Sequence, residues 1–136
     1  MKYNQEYMNS TFDTMLDSGE ESICPVYCVF KQTGFWASNS RVSPGFVTFT
    51  SNGRLLVARS QLFDMVKRSV QLDNVKKMKI KKNLFGQYLV EAAFMDVNGD
   101  LRLKFQVAKK IMGAKFPNQE RNFEELISTL RQYETV

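Results

Sequence analysis

The densest charged feature of the chain is the run Lys76-Lys77-Met78-Lys79-Ile80-Lys81-Lys82, and its spacing suits recognition rather than catalysis. In a strand, successive side chains point to opposite faces, so Lys77, Lys79 and Lys81 share one face while Met78 and Ile80 take the other. Aligned ammonium groups attract anions, whether lipid headgroups, nucleic acid or an acidic protein face. Lys67, Arg68, Arg102 and Lys104 are candidates to widen the strip from nearby strands. The same pattern also serves as a solvated face whose lysines discourage edge-to-edge pairing, because a half-buried strand needs a polar side in either case.

A second constellation is apolar. Phe35-Trp36, Leu62-Phe63 and Leu84-Phe85 all fall in predicted connections, which in a simple meander share one end of the sheet. Phe35, Trp36, Phe63 and Phe85 are therefore candidate interface residues, since apolar rings beside lysines suit a membrane or protein contact. The competing expectation is that these rings fold inward beneath the long connection at 32–44.

Catalytic chemistry finds little to work with. Histidine is absent, which removes the commonest general base and a common metal ligand together. Of fourteen acidic residues, nine lie in the terminal segments, and Asp73, Asp96 and Asp100 sit at predicted turns. Neither a placed acid/base pair nor a phosphate-cradling glycine motif is visible. Cys24 and Cys28 share one strand face with Cα atoms about 13 Å apart, too far for a disulfide. Two thiols without histidine make a poor zinc site, so both are expected to be buried structural residues. The expectation is a non-enzymatic protein with no cofactor or metal.

The elements that must position these groups follow from length and periodicity. A chain of 136 residues forms one domain and can bury about 68% of its unfolded surface without staples. Residues 1–22 carry one Lys against five acids, and residues 23–115 carry sixteen Lys and Arg against five. Residues 116–136 carry two Arg against four Glu. A basic body between acidic ends favours anionic partners, or acidic terminal helices packed on that body. No apolar run approaches the ~20 residues of a membrane span and the first 22 residues lack signal-peptide features. A cytoplasmic protein, at most peripheral at the membrane, is expected.

Helical spacing predicts a helix over 3–18, with Tyr7, Met8, Phe12, Met15 and Leu16 on one side. Seven strands are predicted at 23–31, 46–51, 54–60, 66–72, 76–82, 87–96 and 101–107. Asn52-Gly53 and Asn98-Gly99 read as two-residue hairpin turns. A final helix over 122–133 carries Phe123, Leu126, Ile127, Leu130 and Tyr133 on one stripe. Asn122 is its predicted N-cap, with Glu125 completing a capping box.

Seven short strands call for a closed or nearly closed antiparallel sheet. A helix placed after every strand can plug one end of it, which disfavours a five-stranded OB barrel. The predicted fold is mainly β (α+β): a pleckstrin-homology-like (PH-like) seven-stranded antiparallel barrel capped by a C-terminal helix, with an extra N-terminal helix. The single domain spans 1–136, divided into the helix at 1–18, barrel strands at 19–107 and a C-terminal helical region at 108–136.

Glu20-Glu21 before the first strand and the turn Ser51-Asn52-Gly53-Arg54-Leu55-Leu56 resemble the bacterial PH-like domains of the GRAM/PH superfamily. Those carry a Thr-Asn/Asp-x-Arg-Leu turn between their second and third strands. Leu72-Asp73-Asn74-Val75 resembles the turn between the family's two sheets, and residues 123–133 its capping helix. The resemblance covers about residues 19–133; Ser51 replaces the usual Thr, and the first helix is an addition. It implies a fold more than a ligand. Two functions stay open: a module for an anionic membrane surface or lipid headgroup, and a protein-interaction or structural domain. Nucleic acid ranks third, because strands 66–72 and 76–82 offer no aromatic stacking platform. The hairpin reading has a direct check: Gly53→Ala and Gly99→Ala should each cost about 1 kcal/mol or more in thermal melts, because Ala cannot relieve left-handed strain.

Overall fold

Period-two hydrophobicity demands a sheet with a buried face, and the turn glycines decide where the chain doubles back. The computed structural model describes residues 3–31, 42–61, 64–97, 99–111 and 115–135. Among them, seven strands run in chain order: β1 (Val26–Lys31), β2 (Val42–Phe49), β3 (Arg54–Gln61), β4 (Asp64–Gln71), β5 (Val75–Lys82), β6 (Tyr88–Phe94) and β7 (Leu101–Val107). Helix α1 (Gln5–Asp13) precedes them and α2 (Gln119–Arg131) follows.

All the strands belong to one antiparallel sheet of order β4-β3-β2-β1-β7-β6-β5. Its two halves meet at a short seam, Val29 opposite Gln106 and Phe30 opposite Phe105. The edge strands β4 and β5 are linked by a single 3-10 turn, Leu72–Asn74. The sheet wraps one core yet stays open, because among the described residues β4 and β5 exchange no ladder bonds. Inside lie Val26, Cys28, Phe30, Val57, Met78, Val90, Phe94 and Phe105. Phe123, Leu126, Ile127 and Leu130 of α2 close this core, each burial worth about 1.5–3 kcal/mol.

Strand β3 departs from half-burial: Leu55, Leu56, Val57 and Ala58 are all buried. Leu55 and Val57 face the inner core, whereas Leu56 and Ala58 join Phe46 and Met65 on the outside. Helix α1 covers that outer patch with Met8 and Phe12. Tyr7 and Phe12 meet Phe46 edge-on at centroid distances of 5.8 and 6.3 Å.

Several predicted boundaries move. Helix α1 is shorter than 3–18: Asn4 caps it by accepting the Tyr7 N–H at 2.7 Å, and it ends at Asp13. The Thr14 hydroxyl bonds back to Thr11 O and the Met15 N–H to Phe12 O, tightening the chain out of the helix. Strand β1 begins at Val26 rather than 23, because Pro25 has no N–H and the Cys24 N–H donates to Thr48 Oγ1. Strand β2 begins at Val42, inside the predicted connection. There Gly45 lies under the Phe30 ring, and a Cβ would sit 2.5 Å from that ring and 2.4 Å from Ala58 O.

The first hairpin has a three-residue loop. Thr50 N–H donates to Arg54 O, Gly53 N–H to Thr50 O, and Gly53 has φ +78°. A type I turn followed by a left-handed glycine therefore replaces the two-residue turn. Gly99, at φ +111°, likewise follows a turn, its N–H reaching Asp96 O. Helix α2 starts at Gln119, and Asn118 occupies the cap position. The capping box at Asn122 does not form; the Asn122 amide donates instead to Pro25 O at 3.0 Å. A tertiary bond to the residue just before β1 outcompetes the local cap.

The N-terminal segment is tied down by a buried ion pair. The Glu20 side chain is 0% exposed and Arg54, at the start of β3, 14%. Glu20 accepts bonds from Arg54 Nε at 3.0 Å, from the Arg54 terminal nitrogen, from Thr50 Oγ1 and from the Asp17 N–H. Arg54 also donates to Met15 O. These bonds to the charged form outweigh desolvation and hold the Glu20 carboxyl down at about 2. Arg54→Ala should cost about 3 kcal/mol by stranding a buried carboxylate. The stability of wild type over Glu20→Gln should be fully present above about pH 4.5 and shrink as pH falls toward about 2. Chemical denaturation across that range reads both effects.

Candidate anion-binding face

The lysine run forms β5, an edge strand with Met78 and Ile80 turned into the core. Its free backbone edge is partly occupied: Met78 donates to Thr135 Oγ1 at 3.1 Å and accepts the Thr135 N–H at 3.0 Å. The outer face presents Lys77, Lys79 and Lys81, all exposed.

Register assembles the rest. Lys77 lies opposite Ala93 of β6, which lies opposite Arg102 of β7. One step along, Lys79, Glu91 and Lys104 form the next cross-strand row. A bulge between Val75 and Lys77 brings Lys76 to the same rim, 2.7 Å from Asp100. The small Ala93 side chain leaves a shallow depression of about 620 Å³, bordered by Lys76, Lys77, Glu91, Arg102 and Lys104. Two carboxylates offset part of the charge, Asp100 on Lys76 and Glu91 on Lys77 at 3.9 Å. Among the described residues, Lys79, Lys81 and Lys104 make no ion pair.

Five of the seven basic residues singled out by sequence, Lys77, Lys79, Lys81, Arg102 and Lys104, thus share one outer face, whereas Arg68 lies on β4 at the opposite edge of the sheet. Lys67 does not join them: it lies on β4, at the opposite edge of the sheet, with its ammonium on Thr14 Oγ1 at 3.0 Å. Lys76 was missed, because a bulge residue leaves no mark on an alternating pattern. Of the aromatic candidates, Phe35, Trp36 and Phe63 lie outside the described residues, while Phe85 is 88% exposed. The ladders place Lys31 and Gln61, the strand ends leading into the first two connections, at one end of the sheet. Strand β5 runs antiparallel to β1 and β3, so Lys82 and the Leu84-Phe85 loop lie at the other end. The three connections therefore do not share one end as a simple meander would have them.

No family model matches the chain, and no curated protein matches it. Among solved structures it is similar to the hSac2 domain from the human phosphoinositide phosphatase Sac2. The TM-score is 0.55 at 13% identity, covering 93% of this chain and 80% of that one. The fold is PH-like. At that identity the likeness extends to fold and no further.

Three other chemistry-bearing groups of this PH-like sheet, Cys24, Cys28 and Arg59, are buried. Cys24 and Cys28 are buried free thiols; burial pushes Cys24 up to about 12 and Cys28 well above its ordinary value. Arg59 is fully buried, with Nε donating to Ser43 Oγ at 2.5 Å, and desolvation lowers its pKa. Sequence gave no warning of it, since an arginine between Ala58 and Ser60 reads as exposed. No helix among the described residues is long and apolar enough to cross a membrane. A thiol reagent should leave both cysteines unmodified in the native protein and titrate two per chain once it is unfolded. Fast native reaction would mean that 24–28 is not packed as described.

Proposed function

We propose that this chain is a non-enzymatic PH-like binding module whose outer β5–β7 face attaches it to an anionic membrane surface. The observation that carries this reading is the convergence of Lys76, Lys77, Arg102 and Lys104 from two strands around the low point at Ala93, with Lys79 and Lys81 continuing the same face along β5. A concave rim of cations attracts phosphate and carboxylate groups more strongly than the same charges scattered. Two further points support it: the structurally similar hSac2 domain comes from a phosphoinositide phosphatase, and the Ser51–Leu56 turn resembles that of bacterial PH-like domains. An acidic protein face is the alternative: basic groups interspersed on such a face can pair with Glu91 and Asp100, which a uniformly anionic bilayer cannot do.

Co-sedimentation with phosphatidylserine-containing and neutral vesicles separates the two. Each basic residue near an anionic surface contributes about 1 kcal/mol, so Lys77, Lys79 and Lys81 together changed to Gln should weaken binding about a hundredfold. Glu91→Gln removes an opposing charge and should tighten it about fivefold. Both effects should fade toward 1 M salt, where the Debye length falls to about 3 Å. Wild type that ignores anionic vesicles at low salt would leave the acidic protein face as the function.

A further inference from the structure

The loop between β5 and β6 is built to display two apolar side chains. Leu84 is 99% exposed and Phe85 88%, at corner positions where turns usually carry polar residues. The loop itself is well bonded. Asn83 Oδ1 accepts from the N–H groups of Phe85 at 2.9 Å and Gln87 at 3.0 Å. Asn83 N–H closes the hairpin on Gln87 O, Gly86 N–H returns to Asn83 O, and Gly86 adopts φ +77°. With residues 84 and 85 at the apex, both side chains point away from the body. The inward-folding alternative fails for this pair.

Lys81 and Lys82 immediately precede the tip, both exposed. At its root lies a groove lined by Lys82, Gly86, Tyr88, Phe123, Ile127 and Arg131, the Arg131 guanidinium 5.6 Å from the Tyr88 ring centre. Apolar apex and cationic collar together match the layering of an anionic bilayer, acyl boundary beneath charged headgroups. The tip is convex, so a protein partner would have to supply every wall of a pocket, whereas a fluid interface needs none.

We infer that Leu84 and Phe85 insert into the interfacial zone of an anionic bilayer, anchoring the membrane contact proposed above. With the tip at the acyl boundary and β5 lying along the surface, Lys81, Lys79 and Lys77 follow at intervals of about 7 Å, facing headgroups.

The test uses the full chain in two arms. In the first, Leu84→Ala/Phe85→Ala is compared with wild type on phosphatidylserine-containing vesicles. Partitioning should fall at least about tenfold, with the melting temperature unchanged because neither side chain is packed. In the second, Leu84→Cys carries an environment-sensitive fluorophore, which the buried Cys24 and Cys28 leave site-specific. Its emission should shift to the blue on adding anionic vesicles, while a Lys79→Cys label should not. Undiminished binding by the double variant, or an unshifted label on a bound protein, overturns the insertion and leaves the basic-face reading standing. Wild type that binds no anionic vesicle overturns both.

Discussion

A carboxylate sealed from water must find charge and donors, and Glu20 meets that requirement from three directions. Arg54 reaches it from the start of β3, Thr50 from the hairpin and Asp17 from the loop after α1. The pair therefore fixes where the N-terminal segment crosses the sheet. That crossing lays α1 over the outer side of β2 and β3, where Phe46, Leu56 and Ala58 would otherwise be bare apolar surface. Because the carboxylate is so fully bonded, charge is retained where burial alone would neutralise it.

The two halves of the sheet treat their outer faces in opposite ways. On β2 and β3 the outer face is apolar and covered by α1; on β5–β7 it is largely charged and bare. One strand-level signal separates them. Strand β5 alternates lysine with Met78 and Ile80, whereas β3 runs through Leu55, Leu56, Val57 and Ala58 without a polar position. A continuous apolar run marks a strand sandwiched on both sides.

Much of the fold was legible before any coordinates. Turn glycines, alternating strands and the Phe123–Leu130 stripe respond to local chemistry, and they located the strands, the left-handed turns and the closing helix. The basic face was legible for the same reason, since alternation sends every second lysine outward. What escaped depended on partners distant in sequence. Asn122 looked like a cap, and only Pro25, 97 positions away, shows why its amide is needed elsewhere. Lys67 looked like part of the strip because sequence spacing conceals that β4 and β5 are opposite edges. Lys76 needed the bulge, and Arg59 needed the fold around Ser43.

The Gln119 carboxamide has a role that reaches beyond α2. Its oxygen accepts the Tyr27 N–H and its nitrogen donates to Tyr27 O, both at 3.0 Å, with a further bond to Ala108 O. A side chain thus imitates one residue of a neighbouring strand just where the β1–β7 ladder has ended. Docking of the helix and completion of the sheet become a single event. A chain whose last helix has yet to fold, as during synthesis, exposes a raw β1 edge able to template pairing with another copy. Gln119 therefore ties docking of the C-terminal helix to the backbone bonding of β1.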